Sequence, residues 1–169
     1  MKRAQRAIEP SASVLFVCLA NICRSPTAEG VFRGAVKKAG LADYIRAASA
    51  GLDDYHAGSG PDRRAVEAAK RRGYDIAMVR SRRIEIGDFA RFGWIIAMDS
   101  SNLKALNKMR PAEYEGHVGL LLDFAPDLGV RDVPDPYYGA PAGFDRVLDL
   151  VEVGAAELLA KMRPLVTGS

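Results

Sequence analysis

The sequence predicts an α/β fold in which a parallel sheet is covered by helices on both faces. Three observations carry this expectation. Short apolar runs rich in β-branched residues, beginning with Val14-Leu15-Phe16-Val17, have the pattern of strands buried on both sides. Amphipathic helical stripes alternate with those runs, as right-handed crossovers between parallel strands require. A length of 169 residues, 49% of them hydrophobic, supplies one domain with a full core that needs neither disulfides nor a structural metal.

The elements follow in chain order. After the first strand, Ser25-Pro26 opens a helix with proline in its first turn, and Ala28, Val31, Phe32, Ala35, Val36 and Ala39 recur on one face before Gly40 closes it. Residues 45–51 read as a second strand, followed by a glycine-rich loop over residues 52–60. A short helix from Pro61-Asp62 through Arg72 ends at Gly73, with Ala65, Ala68 and Ala69 inward and a solvated cationic face of Arg63, Arg64, Lys70, Arg71 and Arg72. Residues 92–98 give a third buried strand. Ser100 or Ser101 is expected to cap the next helix, which runs through Met109 and stops at Pro111. Residues 118–122 give the fourth strand. Beyond a segment rich in Pro, Gly and Asp (residues 123–141), a long final helix aligns Phe144, Val147, Leu148, Val151, Ala155, Leu158, Leu159 and Met162 on one stripe.

Composition removes several function classes. Lys and Arg number 24 against 21 Asp and Glu, a net +3, and the basic residues are dispersed, so no dedicated nucleic-acid binder is expected. Residues 1–11 carry Lys2, Arg3 and Arg6 without an apolar core and read as a flexible leader to a single domain over residues 12–169. The longest apolar run, residues 14–20, is seven residues, too short to span a membrane. The expected setting is cytoplasmic, where thiols stay reduced. Cys18 and Cys23 are the two cysteines, too few for a disulfide framework or an all-cysteine zinc site. No Gly-Lys-Ser/Thr of a nucleotide-binding loop occurs.

In such sheets ligands bind beyond the carboxyl ends of the strands, in the loops after Val17, Gly51, Met98 and Leu122. The first of these is Cys18-Leu19-Ala20-Asn21-Ile22-Cys23-Arg24-Ser25-Pro26. Wrapped at a helix N-terminus, the five N–H groups between Cys18 and Arg24 form a concave anion cradle, and the same field stabilises a thiolate. Arg24 offers a planar fork of donors for two phosphoryl oxygens. The Ser25 hydroxyl can donate to a Cys18 thiolate, and Asn21 suits the left-handed backbone a tight loop needs. A thiolate that takes a phosphoryl group also needs an acid for the leaving oxygen. Asp135, between two prolines, is placed for this, although Asp-Pro alone reads as a turn.

Residues 14–33, VLFVCLANICRSPTAEGVFR, with Asp135-Pro136-Tyr137-Tyr138, resemble the low-molecular-weight protein tyrosine phosphatase family. Ser49-Ala50-Gly51, Asp88-Phe89, Met98-Asp99 and Ser101-Asn102-Leu103 fall in the family's order, so the resemblance spans roughly residues 13–163. It implies a flavodoxin-like three-layer α/β/α sandwich on a four-stranded parallel sheet, strand order 2-1-3-4. It further implies Cys18 as nucleophile, Arg24 as phosphate clamp, Asp135 as general acid, Ser25 as tuner of the thiolate, residues 19–23 as phosphate loop, and Ser49 and Asp99 as supporting partners. Tyr55, Tyr137 and Tyr138 match the rings that flank a phosphotyrosine, and His56 is expected at the rim. Neither metal nor cofactor is implied. The implied partners are a phosphotyrosine-bearing protein, a tyrosine kinase among the candidates, and inorganic phosphate or other oxyanions as inhibitors.

Two departures stand out. Val79 occupies a segment where some relatives carry a histidine that binds the loop asparagine, so that bond is either missing here or replaced by Arg82 or Ser81. Ala20 stands where glycine is more usual. Cys23 is either a small buried thiol or a redox partner that shields Cys18 from over-oxidation. An arsenate reductase would need further cysteines downstream, and none follows Cys23. A protein arginine phosphatase would carry threonine at the position of Ile22. An inactive phosphate-binding adaptor would have little reason to keep Cys18, Arg24, Ser25 and Asp135 together.

Overall fold

Four short strands, β1 (Ala12–Cys18), β2 (Ile45–Gly51), β3 (Trp94–Ala97) and β4 (His117–Leu120), pair in parallel in the order β2-β1-β3-β4. This is the expected 2-1-3-4 order. The structure is a computed structural model and describes residues 12–168; the leader read over residues 1–11 lies outside the described residues. Cys18 stands opposite Gly51 and Val17 opposite Ala97, so the carboxyl ends of β2, β1 and β3 open side by side.

Alternation along β1 divides the core. Val14 and Phe16 face the layer of α1 (Arg24–Lys38), α2 (Arg63–Arg71) and α5 (Ala142–Thr167), where the Phe16 and Phe32 rings meet edge to face at 5.4 Å. Leu15 and Val17 face the other layer, built from α3 (Asp88–Arg91) and α4 (Ser100–Met109) through Phe89 and Leu106. All four β1 residues are fully buried. Each large side chain buried in this way contributes roughly 1.5–3 kcal/mol.

The structure departs from the sequence reading at two points. The fourth apolar run stops pairing at Leu120, and Leu121–Phe124 turn into a 3-10 helix, because Leu121 and Leu122 are buried under α5 rather than in the sheet. Neither Ser100 nor Ser101 caps α4. Asp99 does so, accepting from the Asn102 N–H at 2.7 Å while the Asn102 side chain accepts from the Asp99 N–H, and the Ser100 hydroxyl goes to Asp132 at 2.7 Å instead. Arg72 lies on the exposed face as read, but it is paired there: its guanidinium binds Asp149 at 2.8 Å and Glu152 at 2.6 Å across the α2–α5 contact.

Candidate active site

The loop between β1 and α1 is held from outside by its carbonyls. Leu52 N–H donates to Cys18 and Leu19, the Ser81 hydroxyl to Ala20, Asp62 N–H to Ile22, and the Thr27 hydroxyl to Cys23, all at 2.7–3.0 Å. The N–H groups of Leu19, Ala20, Asn21, Ile22 and Cys23, by contrast, donate to no protein acceptor among the described residues. Backbone donors in a buried loop do not stay unpaired without a ligand or water to receive them. Lying between Cys18 and the start of α1, they are free to receive an anion.

Asn21 fixes this shape. It is the described non-glycine residue with a positive φ, 57°, which an amide side chain tolerates; Ala20 needs no such conformation. Its buried side-chain amide donates to Ser25 Oγ at 2.8 Å and Ser49 Oγ at 3.0 Å, and its oxygen accepts the Arg82 N–H at 3.1 Å. Arg82 therefore supplies the bond that a histidine makes elsewhere, while Ser81 ties down Ala20. Ser25 Oγ lies 3.0 Å from Cys18 Sγ and 3.3 Å from the Ala50 carbonyl. Ser49 donates on to Glu29 at 2.9 Å.

Arg24 is 3% exposed. Its Nη1 donates to Asp99 Oδ2 at 2.5 Å and to the Val133 carbonyl at 3.1 Å, and its Nη2 lies 3.8 Å from Asp135 Oδ2. Burial works against the charge, but Cys18, the Asp99 hydrogen bond and the charges of Asp99 and Asp135 outweigh it and hold Arg24 above its ordinary range. Asp99 thus serves two elements, capping α4 with one oxygen and orienting Arg24 with the other.

Cys18, Arg24 and Asp135 line one cavity of about 320 Å³, with Tyr55, His56, Tyr137 and Tyr138 on its walls. Asp135 is steadied by the Tyr137 N–H at 3.1 Å. Cys23 is a second free, buried thiol; burial, then Asp62, Cys18 and Asp135, push it far up. His117, which showed no partner in the sequence, packs at a tilt against Trp94 at 5.3 Å and Phe124 at 5.5 Å and does not line the cavity.

Three participants escaped the sequence reading. Glu29 is buried, and burial raises its carboxyl above the ordinary range against the opposing effects of Arg33 and Ser49. Its position one helical turn after Ser25, on the stripe that carries Ala28 and Phe32, was the available clue. Asp53 lines the cavity, and the Val133 carbonyl orients Arg24; a backbone acceptor leaves no trace in side-chain identity.

The family model for low molecular weight phosphotyrosine protein phosphatase matches residues 13–165. A low molecular weight protein-tyrosine-phosphatase of Bacillus subtilis is 40% identical over 151 residues, 89% of this chain and 96% of that protein. Among solved structures, a protein tyrosine phosphatase from Entamoeba histolytica superposes with a TM-score of 0.87 at 38% identity, covering 90% of this chain and 97% of that one. A Drosophila arginine phosphatase superposes with a TM-score of 0.82 at 30% identity, covering 89% and 97%. Among the described residues no helix is long and apolar enough to cross a membrane.

Proposed function

The chain belongs to the low molecular weight phosphotyrosine protein phosphatase family, cysteine-dependent phosphoric monoester hydrolases, and on that premise we propose how its residues divide the work. The observation that carries the proposal is the ring of unpaired N–H groups around Cys18 with Arg24 and Asp135 in the same cavity.

A phosphotyrosine enters as an anion. Three phosphoryl oxygens take the loop N–H groups and the Arg24 fork, which aligns phosphorus with Cys18 Sγ. The sulfur attacks, the bond from phosphorus to the tyrosyl oxygen breaks, and Asp135 protonates the departing phenol. Asp135, now ionised, takes a proton from water as that water attacks phosphorus. The sulfur–phosphorus bond breaks, phosphate leaves, and Cys18 returns as a thiolate that accepts from Ser25. Backbone dipoles and Arg24 stabilise the charge that develops on the phosphoryl group, so the mechanism needs no metal. It needs Cys18 reduced, which suits a cytoplasmic setting. Inorganic phosphate and similar oxyanions fit the same seat and are expected to compete with substrate. Tyr55, Tyr137 and Tyr138 flank the entering ring.

The purified protein is expected to hydrolyse an aryl phosphate in the presence of a chelator, and Cys18→Ser to abolish turnover; equal rates for the two proteins would refute the assignment. Similarity to the Drosophila arginine phosphatase makes phosphoarginine the second substrate to measure. Ile22, at the cavity in place of threonine, favours the aryl ester, so faster turnover of phosphotyrosine than phosphoarginine peptides is expected, and the reverse ranking would reassign the enzyme. As a redox partner, Cys23 would attack a sulfenic Cys18 formed by peroxide, releasing water and closing a disulfide that dithiothreitol reopens.

A further inference from the structure

The cavity has a cationic floor and an uncompensated acidic wall. Arg24 is the cation on that floor, and Asp99 at 2.5 Å and Asp135 at 3.8 Å already face it. Asp53 adds a further carboxylate to the wall, fixed in place as its Oδ1 accepts the Tyr55 N–H at 3.3 Å. Asp54 follows on the exposed side of the same turn. Neither forms an ion pair among the described residues. Beside them two aromatic rings are left uncovered at the mouth, Tyr55 at 84% exposure and Tyr138 at 93%. The neighbouring Tyr137 ring already carries a cation, with the Arg64 guanidinium 5.6 Å from its centre, but Arg64 is itself held by Asp62 at 3.0 Å.

Unpaired carboxylates next to open aromatic faces are a receptor for guanidinium or ammonium groups. A phosphotyrosine lowered onto Cys18 leaves its flanking peptide residues at this rim, since neighbouring residues of an extended chain are only about 3.3–3.6 Å apart along it. An acidic flank would meet Asp53 and Asp54 head on. We propose that Asp53 and Asp54, with the open faces of Tyr55 and Tyr138, select phosphotyrosines flanked by arginine or lysine and reject those flanked by glutamate or aspartate. The inference rests on the phosphatase reading and adds the charge of the preferred substrate.

The test compares two phosphotyrosine peptides of one backbone sequence, one with arginine and one with glutamate at the flanking positions, by the ratio of their kcat/KM values within each enzyme. The wild type is expected to favour the arginine peptide by about tenfold, mostly through KM, as several weak charge and ring contacts together give. Asp53→Asn/Asp54→Asn is expected to bring the ratio to about two or three, and Asp54→Asn alone to lower it in part. Raising salt from 0.05 to 0.5 M, which on general screening grounds shortens the reach of exposed charges to about 4 Å, is expected to compress the wild-type ratio. A wild-type ratio of one or below, or a double variant that keeps the full wild-type ratio, overturns the proposal. Failure of the wild type to hydrolyse p-nitrophenyl phosphate would instead overturn the phosphatase reading beneath it.

Discussion

Asn21 carries more of the site's geometry than its size suggests, because one amide spends two donors and one acceptor holding Ser25, Ser49 and Arg82 while its backbone turns left-handed. Asn21→Ala is expected to destabilise the protein by about 2 kcal/mol, from lost bonds and a strained φ, and to lower kcat; thermal unfolding and steady-state kinetics measure the two separately. Asp135→Asn is expected to cut kcat on phosphotyrosine by about 10²–10⁴-fold while phosphate still binds. Glu29 gives a pH effect. Burial raises its carboxyl, so the folded state holds this proton to higher pH than the unfolded chain does. Its contribution to stability is therefore full at low pH and falls as pH rises from the unfolded value through the raised folded one. Glu29→Gln is expected to flatten that decline in unfolding titrations across the acid range. Cys18 and Arg24 stood out in the sequence by lying between a buried strand and a Ser-Pro helix start, whereas Asp135 read as a turn until the family resemblance singled it out. Glu29 did not stand out, because an acid on an amphipathic helix ordinarily faces water, and only packing reveals that this one faces the loop.

Between elements, contacts of a few tenths of an ångström decide whether the loop keeps its curve. Gly51 ends β2 against the phosphate loop, where an added Cβ would stand 2.9 Å from the Leu19 oxygen and 3.1 Å from Asn21 Cβ. Gly51→Ala is expected to displace the loop and lower kcat/KM on aryl phosphate by tenfold or more, about 1.4 kcal/mol of transition-state binding, with a smaller loss in melting temperature. Asp88, fully buried at the start of α3, is a second control point. Burial alone pushes its carboxyl up, but hydrogen bonds from Arg82 and Glu85 and the charges of Arg82 and Arg91 hold it below the ordinary range. Asp88→Asn is expected to cost about 2–3 kcal/mol, the low side for a buried pair because Arg82 is 39% exposed, and to loosen the Arg82 bond to Asn21. Most helices and strands could be located from apolar period and turn residues. Their ends could not: β4 and the 3-10 turn share one apolar run, and the α4 cap went to Asp99 because Asp132 claimed Ser100.

Across the molecule the sheet brings together groups the chain keeps far apart. Parallel strands with covered faces followed from periodicity; their spatial order came from the family resemblance, because period says nothing of which strands are neighbours. Phe16, fully buried at the centre, joins the sheet to α1 through Phe32. Phe16→Ala is expected to cost about 3–5 kcal/mol, visible as a fall of ten degrees or so in melting temperature. Three attachments tie the acid segment to the elements around the nucleophile. Val133 N–H donates to Met98 at 2.9 Å, its carbonyl accepts from Arg24 at 3.1 Å, and the Tyr137 carbonyl accepts from Arg64 at 3.0 Å. The arginine proposed to grip phosphate is thus also a fastening of the segment that bears Asp135, the proposed proton donor. On the proposed mechanism an oxyanion held by Arg24 would restrain it, and by linkage Val133 and Asp135 in turn. Amide hydrogens across residues 129–141 should exchange more slowly when phosphate is bound, and Arg24→Lys, which lacks the fork, should lose that protection. On this reading, filling the proposed anion seat and ordering the segment around Asp135 would be one event.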